Sequence, residues 1–393
     1  MAKRAFVTVV TRNYTAYAKV VMDSVGLFHP EDDRWVCFAD ELPTSWNHGF
    51  DWATPILGSE LGIENWDRYS FQYTPFELAC ALKPHAMEYL ADQGYEEIIY
   101  IDSDMQLFGR LSEAFDALED YSIVLTPHLT LPLPLDGKRP DETAFLNSGA
   151  YNAGFVGIRS DSEGRRFLRW WKTMLRKHCI VDIAGSLFVD QKWLDLVPGL
   201  FQSVFLLRHP GYNAGHWSLS QFSISEVPLS DASQSRVAMD GKPLILFHFS
   251  GLTPDKPCDY LKHQTRTHLD DAPSLKCLVA NYHRALAESS LAECMALGTA
   301  WDMLDDRTPI RPAWREAIRR DHRKLCHIDK PYESLLYPGL VDLWRSIESD
   351  SVHWRRDWEI QVAESKGLHG HLRRTNETLK KLIKRFRPRN NAA

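Results

Sequence analysis

The chain is poor in the residues that staple small folds. Its 393 residues include seven Cys, at 37, 80, 179, 258, 277, 294 and 326. The count is odd, the spacing irregular, and no two form a CxxC pair, which argues against a disulfide framework or a zinc knuckle. No run of 18 apolar residues occurs, so no segment reads as a spanning helix. The apolar stretch in MAKRAFVTVV is too short for a signal peptide and reads as a first strand, which makes a cytoplasmic location the expectation. There is no excess of positive charge either: the net charge of −6 argues against general nucleic-acid binding by the body of the protein. Internal repeats are missing too.

What is there is ordinary for a globular protein, with 44% hydrophobic and 25% charged residues. The length allows two to three average domains, or one large α/β domain with an extension. The charge is unevenly spread. Residues 371–393 carry eight Lys/Arg against one Glu, a balance of +7, so the remainder stands at −13. Within that tail Leu379, Leu382, Ile383 and Phe386 recur at helical spacing among basic residues. Such a basic amphipathic helix can lie on an anionic membrane surface, and a solvated terminus is the competing reading.

Residues 4–10 (RAFVTVV) are β-branched and apolar, as in a strand buried on both faces. Tyr17, Val20, Val21, Ser24, Val25 and Phe28 then follow helical spacing, and Pro30 ends the run. A second strand is expected at 34–40, a helix over 75–93 and a third strand in EEIIYID. Strand and helix alternating in this way predict an α/β fold around a mostly parallel, doubly wound sheet. Further apolar runs lie at 122–127, 151–158, 201–207 and 243–249. The stretch 127–140 holds four prolines and is expected to be a loop or lid. From about 270 the periodicity is helical, around 275–300, 313–325 and 337–365. The expected organisation is therefore a catalytic body over 1–265, a helical extension over 266–370 and the basic tail 371–393.

The most informative segment is EEIIYIDSDMQLFG, in which a buried strand ends in Asp102-Ser103-Asp104. Open parallel sheets bind ligands at the carboxyl ends of their strands. Two carboxylates one residue apart can share a hard cation such as Mn²⁺ or Mg²⁺, which would accept a diphosphate in its remaining positions. Alone, a DxD is equally a surface turn; the apolar flanks and the strand-end position favour the metal reading.

Over about residues 5–265 the chain resembles the GT-A fold glycosyltransferases, in particular the retaining glycosyltransferase family 8 of the glycogenin and lipopolysaccharide α-galactosyltransferase type. Bacterial surface-polysaccharide glycosyltransferases are similar as well. The resemblance rests on blocks in a fixed order: Thr11-Arg12-Asn13-Tyr14, Lys83-Pro84, IDSD, YNAGFVGIR (151–159), FVDQKW (188–193) and FHFSG (247–251). It implies a Rossmann-like sheet with a helical extension and transfer from a nucleotide diphosphate sugar, UDP by default, to a saccharide or lipid-linked acceptor.

The resemblance also implies roles for residues. His248 would complete a metal site with Asp102 and Asp104, in its neutral form, so that activity falls in acid. Asn13 and Tyr14, with Thr11, would hold base and ribose, although Asn13 is equally a helix N-cap. Lys83 would face the diphosphate, Gly251 would let backbone approach it, and Ser103 belongs to the same donor-binding loop. Asn152 and Asp190 would bond the donor sugar, with Gln191 near the anomeric carbon. A neutral Gln cannot deprotonate an acceptor, which favours a front-face, retaining reaction. The competing assignment makes Asp190 the base of an inverting displacement. Asn213, His216 and Trp217 are candidates for the acceptor side. Lys256 follows the HxxG block later than the family pattern expects and is not assigned to the diphosphate. The other fifteen His have no comparable context.

Two other functions compete. Sugar-1-phosphate nucleotidyltransferases need a Gly-rich loop after the first strand, and VVTRNYTAY has no Gly. A non-catalytic carbohydrate-binding protein on the same fold is the second; the intact carboxylates, His248 and Asp190-Gln191 count against it.

Overall fold

The computed structural model describes residues 2–42, 49–226, 237–252, 260–321, 325–337 and 339–347. The tail 371–393, Lys256 and Cys258 lie outside the described residues. Two compact units divide the chain, Met1–Met303 and Leu304–Ala393.

In the first unit the elements run β1 Arg4–Val10, α1 Thr15–Phe28, β2 Asp33–Phe38, β3 Thr54–Leu57, α2 Trp66–Phe71 and α3 Pro75–Asp92. Next come β4 Glu97–Ile101, β5 Met105–Leu107, α4 Ser112–Asp120, β6 Ile123–Pro127, α5 Glu142–Ser148, β7 Tyr151–Arg159 and α6 Ser162–His178. Then follow β8 Val181–Asp182, β9 Leu187–Phe188, α7 Val197–Leu200, β10 Val204–Leu206 and three short strands, β11 Ile224–Glu226, β12 Val237–Met239 and β13 Lys242–Pro243. The unit closes with β14 Leu246–His248, α8 Pro273–Glu288 and α9 Leu291–Ala296.

Seven strands form the central sheet in the order β10-β6-β7-β4-β1-β2-β3. The fold is α/β with a mostly parallel sheet, as the sequence predicts. Every neighbouring pair is parallel except those made by β7, which runs antiparallel to both β4 and β6. β7 returns from β6 through the 128–150 segment at one edge, and two strands joined at one edge without a crossover must be antiparallel.

Alternation along β1 sorts its side chains between two cores. Ala5, Val7 and Val9 face a cluster with Leu82, Phe167 and Trp171, whereas Phe6 and Val10 face Val25, Phe115 and Leu246. Fully burying an apolar side chain of Phe or Leu size stabilises by about 1.5–3 kcal/mol, so this double-sided burial anchors the sheet centre. The helix α3 starts on a reciprocal cap, Thr74 Oγ1 accepting from Glu77 N at 3.3 Å and Glu77 Oε2 from Thr74 N at 3.0 Å.

The first unit extends past the expected boundary at 265. On α8, Leu275, Leu278, Val279, Tyr282 and Leu286 pack with Ala16, Tyr17 and Val20 of α1, and Tyr282 stacks on Phe249. In the second unit α10 (Pro312–Arg319) lies within the expected 313–325 helix apart from its first residue, and its Trp314 stacks on Trp344. No helix among the described residues is long and apolar enough to cross a membrane.

Candidate active site and metal centre

The strand directions bring four chain segments to one sheet edge. The carboxyl ends of β1, β4 and β6 lead into Thr11–Tyr14, Asp102–Asp104 and His128, and antiparallel β7 starts there with Tyr151-Asn152. Together they wall a cavity of about 830 Å³. Thr11, Asn13, Tyr14, Lys83, Asp102, Ser103, Asp104, Asn152, Asp190, Gln191, His216, Trp217 and His248 all line it, so most sequence-predicted residues converge. Gly251 is not among the lining residues, but its φ of +87 fits the freedom expected of it, and Ser250 beside it is at the wall.

A small hairpin delivers the histidine. β14 pairs antiparallel with β5, putting His248 opposite Met105, the residue after Asp104. The Phe249 N–H donates to the Asp104 carbonyl at 2.8 Å. His248 Nε2 lies 3.0 Å from Asp104 Oδ1 and 4.0 Å from Asp102 Oδ2, and ligand atoms of the three residues fall within 4.8 Å of one another. Two carboxylates and one imidazole suit Mn²⁺ or Mg²⁺, and the donor set fits. The imidazole also attracts both carboxylates. Burial works against charge on both Asp104 and His248, but their mutual attraction outweighs it, lowering the carboxyl pKa and raising that of the imidazole. A second His–acid group, His29, Glu31 and Asp32, is already engaged. There His29 Nε2 accepts from Leu111 N, Nδ1 meets Asp32, and Glu31 pairs with Arg110.

Lys83, expected to face the diphosphate, lines the cavity and is held by protein groups. It is buried on α3, with Nζ 2.9 Å from Asp102 Oδ1, 2.9 Å from Asp190 Oδ2 and donating to Ala153 O at 3.1 Å. Burial opposes its charge, but Asp102 and Asp190 more than compensate and raise its pKa. Asp190 is 1% exposed, and burial pushes its carboxyl up despite Lys83. Lys83 is therefore an internal tie between Asp102 of the candidate metal site and the residue before Gln191.

Gln191 is fixed by backbone. Its Oε1 accepts from Ala153 N at 3.2 Å and its Nε2 donates to Ser148 O at 3.0 Å. Asn213, expected on the acceptor side, is buried and bonds inward to Asn152, Thr126 and His248, and is not among the lining residues. Trp217 lines the wall edge-on to His248 and packs with Leu133 and Phe145 of the 127–148 segment. That segment is tied down: Arg266 reaches Asp136, Pro134 O, Lys138 O and Pro140 O.

Among the lining residues that sequence reasoning missed are the polar groups His128, His263, Thr299 and Asp302. Burial pushes the pKa of His128 down to about 3, and does the same to His216, so both rings are neutral, and His128 bonds to Gly149 O and Asn152. His128 directly follows a strand end, as Asp102 does, which is the signal that could have marked it.

No family profile matches the chain. Two uncharacterized proteins of Bacillus subtilis (strain 168) are similar to it. YfnF is 32% identical over 157 residues, 40% of this chain and 50% of that protein. YfnD is 26% identical over 183 residues, 45% of this chain and 54% of that protein. The chain thus spans about half the length of the curated relatives it matches. Among solved structures, the galactosyltransferase LgtC in complex with donor and acceptor sugar analogs is 17% identical, with a TM-score of 0.44 over 72% of this chain and 95% of that one.

Proposed function

We propose that the chain is a metal-dependent GT-A glycosyltransferase that moves a sugar from a nucleotide diphosphate sugar, UDP by default, to a saccharide or lipid-linked acceptor with retention. The observation that carries this reading is the convergence of Asp102, Asp104 and His248 in one cavity with Asn13, Tyr14 and Gln191. A bound Mn²⁺ or Mg²⁺ would supply charge neutralisation to the departing diphosphate. Asn13 and Tyr14 bind the nucleoside end at the mouth of β1. Asn152 and Gln191 orient the sugar, the Gln191 amide being held in one setting by Ala153 and Ser148.

The bond from the anomeric carbon to the diphosphate oxygen breaks as the acceptor oxygen bonds to the same face. The acceptor proton passes to the leaving phosphate oxygen. Gln191 stabilises the electron-poor centre and takes no proton. Asp190 is held by Lys83 in the cavity wall, and that ion pair supports a positioning role over that of an inverting base. The basic tail would add contact with an anionic membrane when the acceptor is lipid-linked.

A screen of nucleotide sugars with Mn²⁺, followed by NMR of the product's anomeric centre, tests the reading. An α-linked donor should give an α-linked product, EDTA should abolish turnover and Mn²⁺ restore it. A β-linked product would promote Asp190 to base. Full activity of Asp104→Ala would end the metal assignment.

A further inference from the structure

Between the metal centre and the 127–148 segment runs a chain of side-chain hydrogen bonds whose direction backbone groups fix. The Gly149 carbonyl can only accept, so His128 Nδ1, 2.9 Å away, bears the proton and Nε2 the lone pair. Asn152 Nδ2 donates to that lone pair at 3.0 Å. The Gly154 N–H can only donate, and it lies 2.8 Å from Asn152 Oδ1, which sets the same amide orientation independently. Asn213 Nδ2 donates to Asn152 Oδ1 at 2.9 Å and to Thr126 Oγ1 at 2.7 Å. Both its amide protons are then engaged, and Oδ1 faces His248 Nδ1 at 3.1 Å. An amide oxygen only accepts, so His248 Nδ1 must carry hydrogen. The lone pair of the neutral ring is left on Nε2, the atom directed at Asp102 and Asp104.

We propose that Asn213, backed by Asn152 and His128, is a positioning residue that holds His248 in its Nδ1–H tautomer and so presents Nε2 to the divalent cation. The inference rests on the metal reading above. Local structure is built around this contact. Asn213 has φ +47, a left-handed setting that Asn tolerates better than most residues. Its neighbour Ala214 accepts from His248 N at 2.7 Å, which brings the amide alongside the ring. At Gly154 a Cβ would lie 2.6 Å from His248 Cε1 and 2.7 Å from Asn152 Oδ1, so only glycine leaves the chain its room. Such outer partners of a ligating histidine fix its tautomer and ring orientation.

The test uses the full-length protein and Mn²⁺ alone, with free Mn²⁺ read by electron paramagnetic resonance. Asn213→Gly keeps the left-handed backbone and removes the acceptor; Asn213→Asp keeps an acceptor oxygen. The glycine variant should bind Mn²⁺ about 10–100-fold more weakly, with a lowered melting temperature because Asn152, Thr126 and His248 lose a buried partner. The aspartate variant keeps the acceptor for His248 Nδ1 but turns its other oxygen on Asn152 Oδ1, so it should fold less stably and still bind Mn²⁺ clearly more tightly than the glycine variant. Wild-type affinity in Asn213→Gly, or equal weakness in both variants, overturns the proposal. Should the glycine variant not fold, long-range ¹H–¹⁵N spectra of the wild-type imidazoles decide, with His248 assigned by its loss in His248→Gln. An Nδ1–H tautomer for His248 at alkaline pH is the expected result, with or without Mg²⁺, and an Nε2–H tautomer overturns the idea. Wild-type protein that binds no Mn²⁺ would sink the metal reading, and the metal-free spectrum would still judge the tautomer.

Discussion

Lys83 and Asp190 form an ion pair at 2.9 Å with side chains only 5% and 2% exposed, and the same ammonium reaches Asp102 at 2.9 Å. One buried cation therefore balances two carboxylates that belong to different parts of the site. Removing one partner of a buried pair leaves the other charge uncompensated, at a cost of about 3–5 kcal/mol. Lys83→Met should lower stability by that order in urea denaturation. Lys83→Arg should rescue only partly, since a planar guanidinium does not fit three partners arranged around a point charge. A Lys83→Met protein of wild-type stability and turnover would show that the tie is dispensable.

Gly154→Ala adds one methyl group against His248 Cε1 at 2.6 Å and His248 Nδ1 at 2.8 Å. Overpacking of this kind costs about 1–3 kcal/mol and moves the neighbours that can give way. Here the movable neighbour is the imidazole of the proposed metal site. The variant should fold, lose a modest part of its stability and lose most of its Mn²⁺ affinity. Calorimetric titration with Mn²⁺ that matched wild type would contradict this.

Much of the site was readable because its chemistry sits at strand ends. A buried run ending in Asp102-Ser103-Asp104 states both its depth and its edge, and the HxxG run does so for His248. Strand direction is another matter, because side-chain alternation reports which face a residue occupies and not which way the strand runs. The reversal of β7 was not legible for that reason. Lys83 read as a residue facing the diphosphate; that no other Asp, Glu, Lys or Arg lies between Glu77 and Glu88 was the clue to its burial. Thr299 and Asp302 could not have been found, since nothing local ties them to a sheet edge more than 250 residues earlier.

Acid should destabilise the protein well above the range where carboxylates titrate. Burial holds His85 and His128 neutral, with pKa values pushed down to about 3. In the unfolded chain each would titrate near about 6.5. Below that point the unfolded state binds protons that the folded state refuses, so stability is fully present above it and falls as pH drops toward about 3. Each group contributes at most about 1.4 kcal/mol per pH unit, and His85 less because it keeps some solvent contact. Urea midpoints between pH 7.5 and 5 should fall steadily, and His85→Gln should flatten the slope. A midpoint independent of pH over that range would refute the assignment.

The last prediction concerns the end of the cavity proposed to hold the nucleoside, where a late segment of the first unit is pinned by one carboxylate. Asp40, just beyond β2, accepts from Arg12 N at 2.8 Å through Oδ1 and from Ala300 N at 3.1 Å through Oδ2. Trp301 Nε1 adds a bond to Ala39 O at 3.0 Å, and Arg12 donates to Leu297 O at 3.2 Å. These contacts hold Thr299 and Asp302 in the wall that Thr11, Asn13 and Tyr14 also form. Asp40→Asn keeps the shape but offers one acceptor oxygen for two backbone N–H groups, leaving one facing the new NH₂. An unsatisfied buried donor costs about 1–3 kcal/mol, so the segment should loosen. The residues around the reacting centre, Gln191 and Asp104, are untouched by this change. Steady-state kinetics should therefore show a raised KM for the nucleotide sugar with kcat nearly unchanged at saturating donor. A fall in kcat with KM unaltered would place the 297–302 segment on the chemistry rather than on nucleoside binding.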